Sequence, residues 1–301
     1  MKEKNKYQKM GWIAVGFSIV ITSLWAFWGA NETFHEGWYY ESFLMNVGLT
    51  IIQYLSPTLI FMGVGITSIY WPRVGAAIHL VVAILAAWFF NLFTNTVILL
   101  ILLPLVVIGL FYWYGNLPPR KTALRWMIGF PILVALLAGI VPAYRVSQRV
   151  KDRSLDAQLI AGNGITLTWA PSGPGWPQEG VNWHDAVQIC QHLDQDGKSL
   201  AAEPQNIWRL PTVDEAVRSM SLHGESSHGV WDVQNAEATY EKRPDKEFPI
   251  WEIYSQVIYL WTATEVDQKN AYVIVYDGKV WSRSKELDMG YLGFRCVKET
   301  K

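Results

Sequence analysis

The chain has 301 residues, of which 51% are hydrophobic, 17% charged and 14% aromatic, and its formal net charge is −1. Residues 1–150 carry 10 Lys/Arg against 4 Asp/Glu, a net of +6, whereas residues 151–301 carry 15 against 22, a net of −7. Apolar runs of about 20 residues, long enough to cross a hydrocarbon core of roughly 30 Å, fill the first half and exclude both a wholly soluble protein and a disordered one.

The break near residue 150 divides the chain into an N-terminal all-α membrane domain (1–144), a short linker or stalk helix (145–159) and a C-terminal α+β domain (160–301). Five spans are expected: Gly11–Ala30, Met45–Trp71, Val74–Phe93, Thr96–Gly115 and Trp126–Tyr144. The first is too long and aromatic for a cleaved signal peptide, and no small-residue cleavage site follows it. Pro57, Pro104 and Pro131 fall inside spans and predict kinks, because neighbouring helices can re-satisfy the carbonyls a proline frees. Trp12, Trp25, Trp28, Trp71, Trp113 and Trp126 crowd the span ends, where an amphipathic ring sits best.

Orientation follows from the basic residues. Lys2, Lys4, Lys6, Lys9, Arg73, Arg120, Lys121 and Arg125 fall on one side, eight in all, while the loop from Asn31 to Leu44 holds three Glu and the turn near Asn95 has no basic residue. Positive charge stays cytoplasmic, so the N-terminus is expected inside and the C-terminal domain outside an inner membrane. Arg145, Arg149, Lys151 and Arg153 follow the last span on the outer side and oppose this reading, four against eight. Inside the spans the ionisable group is His79, accompanied by the polar Gln53 and Asn91, with no acidic residue. His79 is expected to reach the interface or bond a neighbouring helix, and Gly63 and Gly65 to allow close helix contact. The bundle thus reads as an anchor or a partner-binding surface, with transport as the alternative.

In the C-terminal domain, Ile165–Trp169 alternates as a strand. Asn182 caps a helix whose Trp183, Ala186, Val187, Cys190 and Leu193 recur at helical spacing, with Gly197 as its end. Thr212 caps a second helix with Glu215 as its capping-box partner. Residues 221–257 read as loop. Ile258–Thr264, Ala271–Tyr276, Lys279–Ser284 and Gly293–Val297 read as strands, with Asp277–Gly278 as a hairpin turn. Metal ligation by His223, His228, Glu225 and Asp232 competes with solvated loop side chains. No phosphate-binding glycine loop, nucleophile elbow or basic nucleic-acid patch is present.

The ordered motifs VNWHDAVQICQHL, IWRLPTVDEAV, YLWTATE, AYVIVYDGKV and YLGFRCVK resemble the C-type-lectin-like fold in its bacterial form. They are most similar to the Lcl C-terminal domain family and also to the formylglycine-generating enzyme family. The resemblance covers about 140 residues, from Ile160 to the end. It implies that the last strand lies beside the first helix, which makes Cys190 and Cys296 a disulfide pair, against the alternative of two buried thiols; an extracytoplasmic compartment would preserve such a bond. It further implies structural roles for Trp208, Arg209, Glu215, Trp261 and Arg295, with Arg209 in an ion pair with a carboxylate such as Glu215, and with Trp183, Trp208 and Trp261 in the core. The long loop of this fold usually makes the ligand surface, which points to Trp231, Tyr240 and Trp251 as aromatic anchors, unless they pack a loop core. AEPQN, similar to a calcium-binding lectin tripeptide, lies before WRLPT rather than in that loop. The expected function is a non-enzymatic binding or sensing module without cofactor or metal, its partners the bilayer, a protein or glycan ligand outside, or a membrane protein. The alternatives are a structural subunit of a membrane complex and an oxidase of the formylglycine-generating type. The oxidase reading is weakened because that family needs two copper-binding thiols near the C-terminus, where this chain has one.

Overall fold

The computed structural model describes residues 2–89, 99–151 and 154–300. The expected turn near Asn95, together with Asn91 and Arg153, lies outside the described residues, as do the side chains of Lys2, Lys4 and Lys6. Two compact units divide the chain, Met1–Val146 and Ser147–Lys301.

The first unit is helical: α1 (Lys2–His35), α2 (Phe43–Leu49), α3 (Ser56–Tyr70), α4 (Pro72–Phe89), α5 (Leu99–Tyr114) and α6 (Arg120–Gln148). Segments Gln8–His35, Pro72–Phe89 and Arg120–Gln148 are each long and apolar enough to cross a membrane. The expected second span is broken. After α2 the backbone widens to a π turn over Thr50–Tyr54, where the Leu55 amide donates to the Thr50 carbonyl at 2.8 Å, and α3 departs at 57°. Pro57 sits at the start of α3, a place where its missing N–H costs no helical bond. Counting this bent pair as one span gives four, and the described apolar stretch Leu102–Tyr114 is shorter than a full crossing. Pro104, Pro131 and Pro142 lie within continuous α5 and α6.

The guanidinium of Arg120 lies 5.7 Å from the Tyr70 ring centre, and a Cβ on Gly11 would meet the Asn116 carbonyl oxygen at 2.0 Å. The start of α1, the end of α3 and the start of α6 therefore share one end of the bundle. Gly65 lies against the Met127 side chain, whereas Gly63 faces open space and makes no such contact. His79 is buried within α4. Its Nδ1 donates to the Gly75 carbonyl one turn back in its own helix at 2.8 Å, and its ring lies beside that of Tyr112. Gln53 is exposed.

The second unit begins within the expected linker. Residues 144–148 complete α6, Arg149 is buried beside Asp245, and strand β1 (Gln158–Gly162) is already under way before residue 160. Strand β2 (Ile165–Trp169) lies between β1 and the last strand, β11 (Val297–Glu299), all antiparallel. Helix α7 (Trp183–His192) is capped by the Asn182 side chain, which accepts from the Asp185 amide at 2.9 Å. It ends at Leu193 rather than at Gly197. Gly197 instead serves the following turn at φ +76°, where a Cβ would press on the Trp208 ring at 2.9 Å. Helix α8 (Val213–Ser219) carries the full Thr212–Glu215 capping box.

The segment read as loop contains two short ladders, β3 (Ser221–Leu222) with β4 (Glu225–Ser226), and β5 (Val230–Asp232) with β6 (Glu237–Thr239). Strands β7 (Tyr259–Glu265), β8 (Asn270–Val275) and β9 (Val280–Ser284) form an antiparallel sheet, with β10 (Leu292–Gly293) parallel on the far side of β7 and β9 at the edge. The expected strand Gly293–Val297 is thus two pieces in different sheets. Between them Cys296 turns inward, its amide donating to Gly175 and its carbonyl accepting from Ala170. The core centres on Trp169, Trp208, Trp261, Leu193 and Phe294.

Candidate functional site

Cys190 and Cys296 form a disulfide. It ties α7 to the stretch before β11, and with no free cysteine among the described residues both thiols of the chain are consumed.

Around this bond the WRLPT and RCV motif residues pack as structure. The Trp208 and Trp261 rings are buried, their Nε1 groups donating to the carbonyls of Asp194 at 2.8 Å and Val181 at 2.9 Å. Trp183 is half-buried and donates to the Thr262 carbonyl. Arg209 makes two 2.7 Å bonds to Glu215, although its side chain stays 39% exposed, so the pair sits at the rim rather than in the core. Burial raises the Glu215 carboxyl, but the bonds from Arg209 and the Thr212 amide outweigh it and hold the group below the usual carboxylate range. Arg295 is fully buried. Its Nε donates to the Ala170 carbonyl at 2.8 Å, its Nη1 to the carbonyls of Pro249 and Ile250, and its guanidinium lies 3.6 Å from the Trp176 ring centre. Burial, with no carboxylate partner among the described residues, pushes it down to about 9.

The three expected anchors do not present a ligand surface. Trp231 on β5 is buried edge-on against Tyr272 at 5.4 Å, and Trp251 is buried near Tyr276. Tyr240 is half-buried, its hydroxyl donating to the Gly278 carbonyl at 2.9 Å while its ring covers the hairpin turn, where Gly278 adopts φ +87°. These rings close the long loop over the sheet, because each finds an apolar partner there.

The loop histidines also part company. His223 donates its amide to Glu247 at 2.7 Å and places Nδ1 3.2 Å from the same carboxylate. Glu225 instead takes Lys242, and Asp232 accepts from the amides of Gln234 and Asn235. Among the described residues no three His, Cys, Asp or Glu side chains converge to hold a metal.

Two features were not visible in the sequence. The first is a run of charged groups in Arg243–Glu252. Arg243 and Lys279 pair with the buried Asp277, Asp245 pairs with Arg149 at 2.8 Å, and Lys246 buries its ammonium on the Ser255 carbonyl. Desolvation, reinforced by Arg149 and opposed by Glu252 and Asp245, brings Lys246 down to about 7. An unfolded lysine titrates near 10.4. Between about 7 and 10.4 the unfolded chain therefore holds more protons, and stability rises with pH by up to about 1.4 kcal/mol per unit. Denaturant titrations at pH 7 and pH 9 should register this rise, and Lys246→Met should flatten it. An unchanged slope in the variant would place the titrating group elsewhere.

The second feature is a shallow, open depression along the edge strand β9. Tyr272 and Ser282, directly paired across β8 and β9, share one face with Val280, and Ala236 and Val266 form the rim. Trp281 and Arg283 alternate to the other face, with the guanidinium 4.7 Å from the Trp281 ring centre and 5.9 Å from that of Tyr259. Trp281 and Tyr272 are half-buried and so offer ring surface, and Arg283 pairs with no carboxylate among the described residues. Partly exposed aromatic faces beside an uncompensated guanidinium suit a ligand with a flat apolar side and an acidic group. The alternating Trp281 and Arg283 in VWSRS were the available signal, but strand periodicity does not say which face is open. Comparison with protein-family models, curated proteins and solved structures finds no match to this chain.

Proposed function

We propose that the chain is a membrane-anchored binding module whose C-terminal domain, of the C-type-lectin-like kind, takes an acidic ligand, glycan or peptide, outside the cytoplasm. On this reading α5 completes five spans with the N-terminus inside. The basic segments gathered at one end of the bundle support that orientation, and the disulfide fits an oxidising compartment. The order of helix, disulfide and terminal strand agrees with the proposed domain type.

The observation that carries the binding role is the hollow at Trp281 and Arg283. Full-length protein in mild detergent, passed over arrays of acidic and neutral oligosaccharides and of acidic peptides, should retain an acidic member. Trp281→Ala should weaken that binding about 30-fold, as loss of an aromatic anchor does, in protein whose C-terminal domain still unfolds cooperatively. Arg283→Gln should erase the preference for acidic over neutral members. If no member is retained, or both variants bind as the wild type does, the reading is wrong.

A further inference from the structure

On the outer face of α6 lies a second hollow, about 370 Å³, lined by Thr122, Arg125, Trp126, Gly129, Phe130 and Leu133. Their spacing of three and four residues places them on one stripe of the helix. Gly129 makes the depression, since a Cβ there would meet nothing within 4 Å. All six side chains or Cα positions are exposed, on a helix long and apolar enough to cross a membrane. The floor is therefore apolar and faces the hydrocarbon. Its mouth carries a guanidinium and a hydroxyl, with Lys121 one turn earlier.

Among the described residues no carboxylate pairs with the cations at this end. From Ser42 to Lys151 the sequence contains no Asp or Glu, and neither Lys121 nor Arg125 pairs with a carboxylate among the described residues. Arg120 turns away onto the Tyr70 ring, which leaves Arg125 as the cation of the hollow. Trp126 beside it suits the headgroup level, where an amphipathic ring is most stable.

We infer that this hollow binds one anionic glycerophospholipid, its phosphate on Arg125 and Thr122 and one acyl chain lying over Gly129 between Phe130 and Leu133. No carboxylate among the described residues supplies the balancing charge, and in a bilayer the neighbouring molecule that brings both an anion and an apolar tail is a lipid. The stripe combines those two requirements in the right order along the helix: basic mouth, aromatic collar, apolar floor. A protein helix seated there would have to bring a carboxylate to the bilayer edge, whereas the lipid already holds its charge at that depth.

The test is native mass spectrometry of the full-length protein in detergent, titrated with phosphatidylglycerol and, separately, with phosphatidylcholine. The wild type should keep a phosphatidylglycerol adduct at concentrations where phosphatidylcholine is lost. Arg125→Gln should weaken that adduct about fivefold, as expected for one basic group at an anionic headgroup. Gly129→Leu fills the floor without touching the charge and should weaken the adducts of both lipids. Arg73→Gln, which removes an exposed basic residue from the same end but outside the hollow, should change neither. Equal retention of the two lipids would overturn the proposal. So would an adduct insensitive to both Arg125→Gln and Gly129→Leu, or equal losses in Arg73→Gln and Arg125→Gln, which would mark a diffuse charge effect.

Discussion

Replacement of Cys190 and Cys296 by Ser is expected to lower the stability of the C-terminal domain by about 4–5 kcal/mol, because the bond joins residues 106 apart and constrains a correspondingly large loop in the unfolded chain. Whole domains are stable by only about 5–15 kcal/mol, so the doubly substituted domain should be unfolded or nearly so at 37 °C. Thermal unfolding of the two proteins measures the loss. Thiol labelling of the wild type, denatured without reductant, checks the bond itself. Two freely labelled thiols would refute the pairing and would weaken the oxidising location proposed above. An intact bond whose loss leaves the melting temperature unchanged would show that packing of α7 against the terminal strand suffices alone.

Arg295→Met should cost about 2–4 kcal/mol. The substitution strands the carbonyls of Ala170, Pro249 and Ile250 in the core, each facing a desolvation penalty, while relieving the burial of a charge. Those three acceptors belong to the turn after β2 and to the loop before β7. The guanidinium thus joins segments that share no strand pairing. Urea denaturation gives the magnitude. Arg295→Lys should recover part of the loss, since an ammonium can reach one or two of the carbonyls but cannot reproduce the planar fork. If Met is tolerated, the loop is held by Ile250 and Trp251 burial rather than by hydrogen bonds.

What the sequence disclosed and what it concealed divide along the range of the interactions. Asn182 and Thr212 each act on the amide three residues on, so α7 and α8 were readable from spacing and cap chemistry. Strands β7 to β9 showed their alternation and their Asp277–Gly278 turn. The Cys190–Cys296 pairing came from family resemblance, since residue spacing alone allows free thiols. Strand β1 was missed because its AGNGI turn follows an unremarkable polar stretch, and it gains order only by pairing with β2. The break between α2 and α3 was concealed in a run apolar enough to read as one span.

The choice left open at Trp231, Tyr240 and Trp251 has a related cause. An aromatic residue in a polar loop reads equally as an anchor or as a plug, and the partner that decides is distant in sequence: Tyr272 for Trp231, Gly278 for Tyr240 and Tyr276 for Trp251. Lys246 carried no signal, because its burial is imposed by the Ser255 carbonyl and by the loop around it.

The position of β2 between β1 and β11 has a consequence for how this protein is made. Val297 pairs with Trp169, and residues 292–299 supply β10, the disulfide's second sulfur, Arg295 and β11. In chain order that stretch follows every other described element of the domain. Until it arrives the nascent domain lacks its closing strand, its covalent tie and the guanidinium that gathers its loop, so Trp169, Trp208 and Trp261 wait without their final shelter. Folding cannot proceed piecemeal behind the ribosome, as it does for proteins dominated by local contacts. A stop codon in place of Leu292 would therefore release a chain with its membrane helices intact and a C-terminal domain unable to fold, a ready client for proteolysis.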